Sequence, residues 1–413
     1  MAKVFVLMDG LGDRSCPQLG GLTPLQYAKT PALDSIAEEG QNGYVSIINS
    51  QTAPESDVAV ISLLGYDPTQ YYPGRGPLET FGTGISLHDG DLAMRANFAT
   101  MMSHKLIDRR VGRSLHTSEA QKLAVTLNKS LSLGHPFLFY PTVQHRGVLI
   151  VRGFFSPHIS NVDPGYERRK GFGVVKQNAS LKLEQCRPLD ITPEAKESAA
   201  VINTFVKESY RVLKDHPINI RRHKKMQLPA NIVLLRDAGV GSPNFNDKRT
   251  GWAAIVSMPL EKGIARATGM DVLSIPIPPL KTTNIKKHLI ACLDAEIAAA
   301  KKHLKKSAYS HYYIHFKETD IPGHDGDAQF KAVLLERLDK KFFRFLAKRD
   351  DKLVITGDHA TPCTLKSHSA DPVPVVYRGG TPDTVLRFDE VACRQGSLGK
   401  VYGKDLLRKV RYI

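Results

Sequence analysis

Three short apolar runs rich in Val, Ile, Tyr and Phe punctuate the chain: KVFVLM ending at Asp9-Gly10, HYYIHF ending at Lys317-Glu318-Thr319-Asp320, and KLVIT ending at Gly357-Asp358-His359. Each has strand length and passes straight into glycine and acidic residues, which predicts three buried strands that deliver carboxylates at their C-terminal ends. Between the last two, DAQFKAVLLERLDKKFFRFLAK places apolar residues at 330, 334, 338, 342 and 345, one face of a helix of about four turns or more. Strand and helix in alternation predict an α/β fold with a mainly parallel sheet flanked by helices. Ligands of such sheets bind beyond the carboxyl ends of the strands, where Asp9, Asp320 and Asp358 fall.

Further donors gather around the same strand ends. Asp320 is followed by His324 in TDIPGHDGD, Asp358 by His359 in TGDHATP, and His368 comes nine residues after His359. Pro322, Gly323 and Gly326 make the first segment a loop, so its two side chains can turn inward together. Singly, an Asp-His pair in a loop is most often a turn residue beside a surface imidazole. Two such clusters at neighbouring strand ends point instead to two divalent ions held by carboxylate and imidazole, a donor set that suits Mn²⁺ or Zn²⁺ best. Two-metal sites commonly act on phosphate and then need a nucleophile. In TAPESDVAVISLLGYDP, Pro54 closes an extended segment, Ser56 and Asp57 suit a helix start, and Gly65 suits its C-cap. Alone, Ser56 reads as an N-cap serine; beside a metal ion its hydroxyl becomes a usable nucleophile, and the helix N-terminus favours a phosphoryl group there.

Composition narrows the remaining choices. At 413 residues, with 42% hydrophobic content, the chain is expected to form two domains with substantial cores. No apolar run approaches the ~20 residues of a membrane span, and the N-terminus lacks a signal-peptide layout, so a cytoplasmic location with no membrane partner is expected. The five cysteines are scattered without a C-x-x-C pair, which suggests neither a disulfide framework nor a cysteine zinc site. Of the formal charge of +16, most lies in residues 101–250, which carry 25 Lys and Arg against 12 Asp and Glu. Such an excess suits nucleic acid, anionic lipid or a small phosphorylated substrate. Charge alone does not choose among them, and a solvated basic face is an equal reading; no aromatic platform or reader motif accompanies it, which argues against a nucleic-acid partner. The oligomeric state is not encoded in any visible pattern.

The segments LMDGLGD (7–13), SDVAVISLLGYDP (56–68), GRGPLE (74–79), RANFAT (95–100), TDIPGHDGD (319–327) and GDHATPCTLKSHSADPVPV (357–375) together resemble the archaeal-type, cofactor-independent phosphoglycerate mutases of the alkaline phosphatase superfamily. The likeness continues more weakly through VLIVRG, LLRDAG and GMDVLSIPIP. It implies an alkaline phosphatase-like core with a smaller inserted α/β domain, and an isomerase of glycolysis and gluconeogenesis that interconverts 3- and 2-phosphoglycerate through a phosphoserine. It also implies one ion at Asp320, His324 and His368 and another at Asp9, Ser56, Asp358 and His359, most readily Mn²⁺, with Zn²⁺, Mg²⁺ or Co²⁺ admitted. Lys317 resembles a functional lysine that offsets charge on the moving phosphoryl group.

Ligands at 9 and 56 must meet those at 320–368, so residues 106–264 are expected to loop out as a domain that covers the substrate, with 1–105 and 265–413 forming the catalytic core. Arginines suit bidentate grips on carboxylate and phosphate, and Arg110, Arg113, Arg146 and Arg236 are the candidates in that segment. Three positions depart from the family pattern: Glu55 and Asp237 stand where glycine is usual, and Gly165 where a histidine is expected after Asp-Pro. They keep open an alternative, a metal-dependent phosphatase or phosphotransferase acting on another small phosphate ester. A nucleic-acid-binding module has only charge in its favour, and the intact ligand set speaks against an inactive relative.

Overall fold

Each of the three apolar runs is a strand in the computed structural model, which describes residues 2–49, 53–103, 105–169, 172–176, 181–279 and 284–413. Lys3–Met8 pairs in parallel with His311–Phe316 on one side and Lys352–Gly357 on the other. They form the centre of an eight-stranded sheet whose order across the page is Asp271–Ser274, Trp252–Val256, His311–Phe316, Lys3–Met8, Lys352–Gly357, Val373–Arg378, Gln41–Ser46 and Gly399–Tyr402. Every pairing is parallel except those made by Val373–Arg378, which runs against both its neighbours. The mainly parallel sheet expected from the strand and helix alternation is therefore the one found.

The central strands are buried on both faces, as parallel sheets require. Val4, Val6, Met8, Tyr312, Ile314, Phe316, Leu353 and Ile355 pack on one face with Leu293, Ile297, Leu335 and Leu338 from the helices Ile285–Lys306 and Ala328–Leu338. The helix expected from the period at 330–345 is present, with one irregularity. Its α-helical part ends at Leu338, and Asp339–Phe343 form a π turn before Arg344–Leu346. The wider turn lets adjacent Phe342 and Phe343 both bury.

The chain divides into two compact units. The first comprises Met1–Tyr72, Phe245–Ser257 and Ile264–Ile413; the second comprises Pro73–Asn244 and Met258–Gly263. The second unit starts earlier than the expected residue 106, because Leu92–Met102, the central strand of its sheet, lies before that point. That strand pairs antiparallel with Lys105–Asp108, Arg146–Val151 and Ile232–Val240, and Phe137–Pro141 completes the sheet beside Arg146–Val151. Helices Thr117–Ser130 and Pro193–Leu213 cover one face, where Leu123, Leu127, Ile202 and Phe205 meet Phe98, Phe139 and Leu149. Among the described residues no helix is long and apolar enough to cross a membrane.

Candidate active site

In the first unit the candidate ligands meet at the C-terminal edge of the central strands. Asp9 follows Met8 directly, and Asp358 follows Gly357. Gly10 has φ +63° and lies so close to Asp320 that a Cβ there would fall 2.8 Å from its Oδ1, so only glycine allows the loop after the first strand to come this near. The Gly10 N–H donates to Asp358 Oδ1 at 3.0 Å. Around His359 Nε2 lie Ser56 Oγ at 3.2 Å, Asp9 Oδ1 at 3.2 Å and Asp358 Oδ2 at 3.5 Å. This is the set expected around one ion. The other set lies beside it: Asp320 Oδ2 is 3.3 Å from His324 Nε2, and Asp320 Oδ1 is 3.7 Å from His368 Nε2. The rings of His359 and His368 stack with centroids 3.8 Å apart, so the two sets adjoin.

Ser56 differs from the expected N-cap. It is the first residue of the helix Ser56–Leu63, and Glu55 takes the cap position without a side-chain cap bond. The Ser56 hydroxyl is thus free of capping duty and turned toward His359. Glu55, one of the departures from the family pattern, lies 3.3 Å from His368 Nδ1, which is also 3.0 Å from the Pro54 carbonyl. At the other end Leu64 is the C-cap, and Gly65 follows with φ +91°.

The electrostatics are those of a crowded acidic pocket. Burial would raise Asp9, but Lys317, whose ammonium contacts its carboxylate, holds it well below the usual range. Burial and the neighbouring Asp9 push Asp358 up to about 7. Burial lowers an imidazole, yet Asp358 and Asp9 outweigh it at His359 and lift that group to about 9. Burial and the charge on His359 draw His368 down to about 4. Asp9 Oδ1, Asp358 Oδ2 and His315 Nε2 are buried without a hydrogen-bond partner among the described residues. Buried acceptors are seldom left so, and orphaned carboxylate oxygens facing imidazole nitrogens fit a divalent cation. The metal-capable groups Asp9, Asp358, His359 and Asp320, His359, His368 each bring donor atoms within 4.8 Å of one another.

His315 was not singled out from the sequence. It lies inside the strand His311–Phe316, two residues after Tyr313, an alternation too common to mark it from the sequence. Its Nδ1 is 2.9 Å from Tyr313 Oη and its Nε2 is 3.7 Å from Asp358 Oδ2.

The second unit gathers the candidate arginines around one that the motifs contained but did not single out, Arg95. Across the sheet Arg95 faces Arg236, and its neighbour Asn97 faces Arg146. Arg95 and Arg236 are only 8% and 3% exposed. Burial and then Arg95 lower both Arg146 and Arg236 to about 9. Burial and then Arg146 lower His145 well below the usual range, with Arg110, Arg95 and Arg113 acting in the same direction. All four candidates therefore belong to one electrostatic neighbourhood, together with Arg75, Arg95 and His145. Its counter-charges are Glu79, 2.7 Å from Arg75 Nε and 3.2 Å from Arg95 Nε, and Asp237, 3.6 Å from Arg236 Nε. The Arg236 guanidinium lies 3.3 Å over the ring of Tyr166. A buried surplus of guanidinium groups suits an anion with more than one charge.

The two departures in this unit have local explanations. Asp237 has φ +56° and sits where the pairing with Leu92–Met102 shifts register. A bulge residue in the left-handed region is usually glycine, and Asp is among the few others that tolerate it. A Cβ on Gly165 would fall 1.8 Å from Arg109 Nη1, so Arg109 fills the space a histidine side chain would need. Arg109 is held there by Asp163, 2.8 Å from its Nε.

A family model described as 2,3-bisphosphoglycerate-independent phosphoglycerate mutase matches residues 37–219. A protein of that name from Ignicoccus hospitalis is 38% identical over 98% of this chain and 96% of its own length. Another, from Pyrococcus abyssi, is 37% identical over 98% of this chain and 95% of its own. Among solved structures, the PH0037 protein from Pyrococcus horikoshii superposes with a TM-score of 0.77 at 31% identity, covering 100% of this chain and 98% of that one. The cofactor-independent phosphoglycerate mutase from Thermoplasma acidophilum superposes with a TM-score of 0.59 at 31% identity, covering 100% and 99%. Similarity of this degree runs through nearly the whole chain, and the chain belongs to the 2,3-bisphosphoglycerate-independent phosphoglycerate mutases, enzymes that interconvert 3- and 2-phosphoglycerate.

Proposed function

We propose that the interconversion runs through a phosphoryl group carried on Ser56, in a site where Asp9, Ser56, Asp358 and His359 hold one divalent ion and Asp320, His324 and His368 hold a second. The observation that carries this reading is the convergence of Ser56 Oγ, Asp9 Oδ1 and Asp358 Oδ2 on His359 Nε2, with the two carboxylate oxygens otherwise unpartnered. Without an ion, a protonated His359 supplies the positive charge those oxygens require. Divalent ions, Mn²⁺ best by donor type, would lower the pKa of a neighbouring hydroxyl and cancel phosphoryl charge.

The protein's own groups account for the rest. The P–O bond to the glycerate breaks as the bond to Ser56 Oγ forms, and the serine proton ends on the departing glycerate oxygen. Transfer back to the other hydroxyl reverses both steps, so no outside phosphoryl donor is consumed. Lys317 offsets charge at Asp9 and on the moving group. The arginines grip the carboxylate and phosphate of the substrate, Arg146 and Arg236 with Arg95 and with Arg110 and Arg113 nearby, and so retain the glycerate between the two transfers. A cytoplasmic location, with these free metabolites at hand, belongs to the same reading. A coupled assay from 3-phosphoglycerate, without bisphosphoglycerate, tests it. Activity lost on exhaustive chelation and restored by Mn²⁺ is expected; undiminished activity in protein analysed as metal-free defeats the two-ion reading. Release of mainly inorganic phosphate would replace the mutase with a phosphatase.

A further inference from the structure

Beneath the site lies a fully buried ammonium group that the chemistry described so far does not use. Lys331, on the helix Ala328–Leu338, donates from Nζ to Asp13 Oδ2 at 2.8 Å, to the Thr361 carbonyl at 3.1 Å and to the Gly12 carbonyl at 3.3 Å. Three acceptors match the three N–H bonds of an ammonium. A buried charge is costly unless it is paired and hydrogen-bonded in this way, so the contacts define one geometry rather than many.

Its acceptors lie on the two loops that carry the candidate ligands. Gly12 and Asp13 continue the loop from Asp9 and Gly10, while Thr361 continues the loop from Asp358 and His359. Thr361 Oγ1 in turn donates to Asp320 Oδ1 at 2.7 Å and lies 3.1 Å from His359 Nδ1, which places it against both ligand sets. Asp13 is fixed from other sides as well: its Oδ1 accepts from the Cys363 N–H at 3.0 Å, the Sγ of Cys363 lies 3.2 Å from its Oδ2, and its own N–H donates to Glu390 Oε1 at 3.1 Å. Asp13, Cys16 and Cys363 bring donor atoms within 4.8 Å of one another and resemble a third metal-binding group. The cation there is already supplied by the chain. Burial pushes the Cys16 thiol up to about 11 and the Cys363 thiol up as well, so both remain S–H donors rather than ligands.

We propose that Lys331 is a positioning residue whose ammonium clamps the Gly12 and Thr361 backbones and the Asp13 carboxylate together and thereby sets the spacing of the ligands on both sides of the two-ion site. The proposal rests on the two-ion reading above. Side chains that orient metal ligands from behind commonly control affinity by about 10- to 100-fold.

The test compares Mn²⁺ binding by calorimetry in wild type, Lys331→Met and the double variant Asp13→Asn/Lys331→Met, alongside the melting temperature of each metal-free protein. Lys331→Met alone strands the Asp13 charge and is expected to lower the metal-free melting temperature. The double variant removes both charges and is expected to recover much of that stability while its Mn²⁺ affinity stays at least about 10-fold below wild type. Mutase activity should return toward the wild-type kcat when Mn²⁺ is raised to match, since the Lys331 ammonium is fully buried and bonded to Gly12, Asp13 and Thr361. A double variant whose Mn²⁺ affinity lies within twofold of wild type overturns the proposal. Should the double variant not fold, Lys331→Arg keeps the charge but replaces the compact donor with a planar fork. An affinity loss of threefold or more is expected there, and an unchanged affinity overturns the proposal. Wild-type protein that binds no Mn²⁺ overturns this proposal and the two-ion reading together, whereas two bound ions in wild type with an equal affinity in the variants overturn this proposal alone.

Discussion

Asp358 at about 7 and His359 at about 9 are both raised above their ordinary values, so at neutral pH His359 carries a proton, and Asp358 does increasingly as the pH falls below 7, protons that a metal ion must displace. Binding therefore releases protons, and Mn²⁺ affinity should rise as pH goes from 6 to 8. Calorimetry in two buffers of different ionisation enthalpy measures the protons directly; no release at pH 6.5 contradicts the assignment. Ser56→Ala should lower phosphoryl transfer by several orders of magnitude with little loss of stability, because the hydroxyl caps no helix. Trapping of labelled phosphate on another residue would exclude Ser56. Asp9, Ser56, Asp320, His324, Asp358, His359 and His368 could all be picked out beforehand from strand ends, a helix start and apparent loops, where chemistry gathers, but the expected loop at Pro322, Gly323 and Gly326 is the short helix Asp320–Asp325, whose first turn tolerates Pro322 because no N–H is needed there. His315 and Arg95 could not be picked out. Each lies inside a strand, where a polar side chain looks like one alternation among many until its neighbours across the sheet are known.

The helix Ala328–Leu338 and the turn that follows it show what periodicity conveys and what it misses. Spacing along the chain gave the helix's length and apolar face, but the π turn at Asp339–Phe343 depends on tertiary packing that buries two successive phenylalanines. The same turn aims Asp339 at another helix. Its carboxylate accepts from the N–H groups of Leu33 at 2.7 Å and Ala32 at 3.3 Å, capping Pro31–Glu38 from a distance of about three hundred residues in sequence. Thr30, at the cap position itself, makes no side-chain cap bond. Asp339→Ala should therefore cost about 1–2 kcal/mol, read as a lowered denaturation midpoint, while Mn²⁺ affinity is unchanged. A midpoint equal to wild type would show that the borrowed cap contributes nothing. Parallel pairing was legible from the alternation of elements. The antiparallel Val373–Arg378 strand and the antiparallel sheet of the second unit were not, because pairing direction is decided by partners remote in sequence.

Across the whole molecule the positive excess is not only a solvated face: part of it is buried around Arg95. Arg146 and Arg236 have values pulled down to about 9 by burial and by Arg95, which means that folding disfavours their charged forms. Each cation therefore subtracts from stability below about 9, and the cost is relieved only as pH rises past that value or as an anion binds. Arg146→Gln is expected to raise the melting temperature of the unliganded protein at pH 7 while lowering mutase activity and increasing the share of inorganic phosphate released. Inorganic phosphate should stabilise wild type more than sodium chloride of equal ionic strength. A lower melting temperature for Arg146→Gln would show that its packing outweighs the repulsion. The position of Lys3–Met8 at the centre of the large sheet has a consequence in time. Both strands that flank it come roughly three hundred residues or more later, so at about 5–20 residues per second a ribosome leaves it without either neighbour for roughly 15 to 60 seconds. The second unit, almost continuous in sequence, emerges complete during that wait. On this order of synthesis, Asp9 and Ser56 are made first and enter their finished surroundings last, and newly made chains should acquire mutase activity only after the Lys352–Gly357 strand and the loop to His368 have left the ribosome.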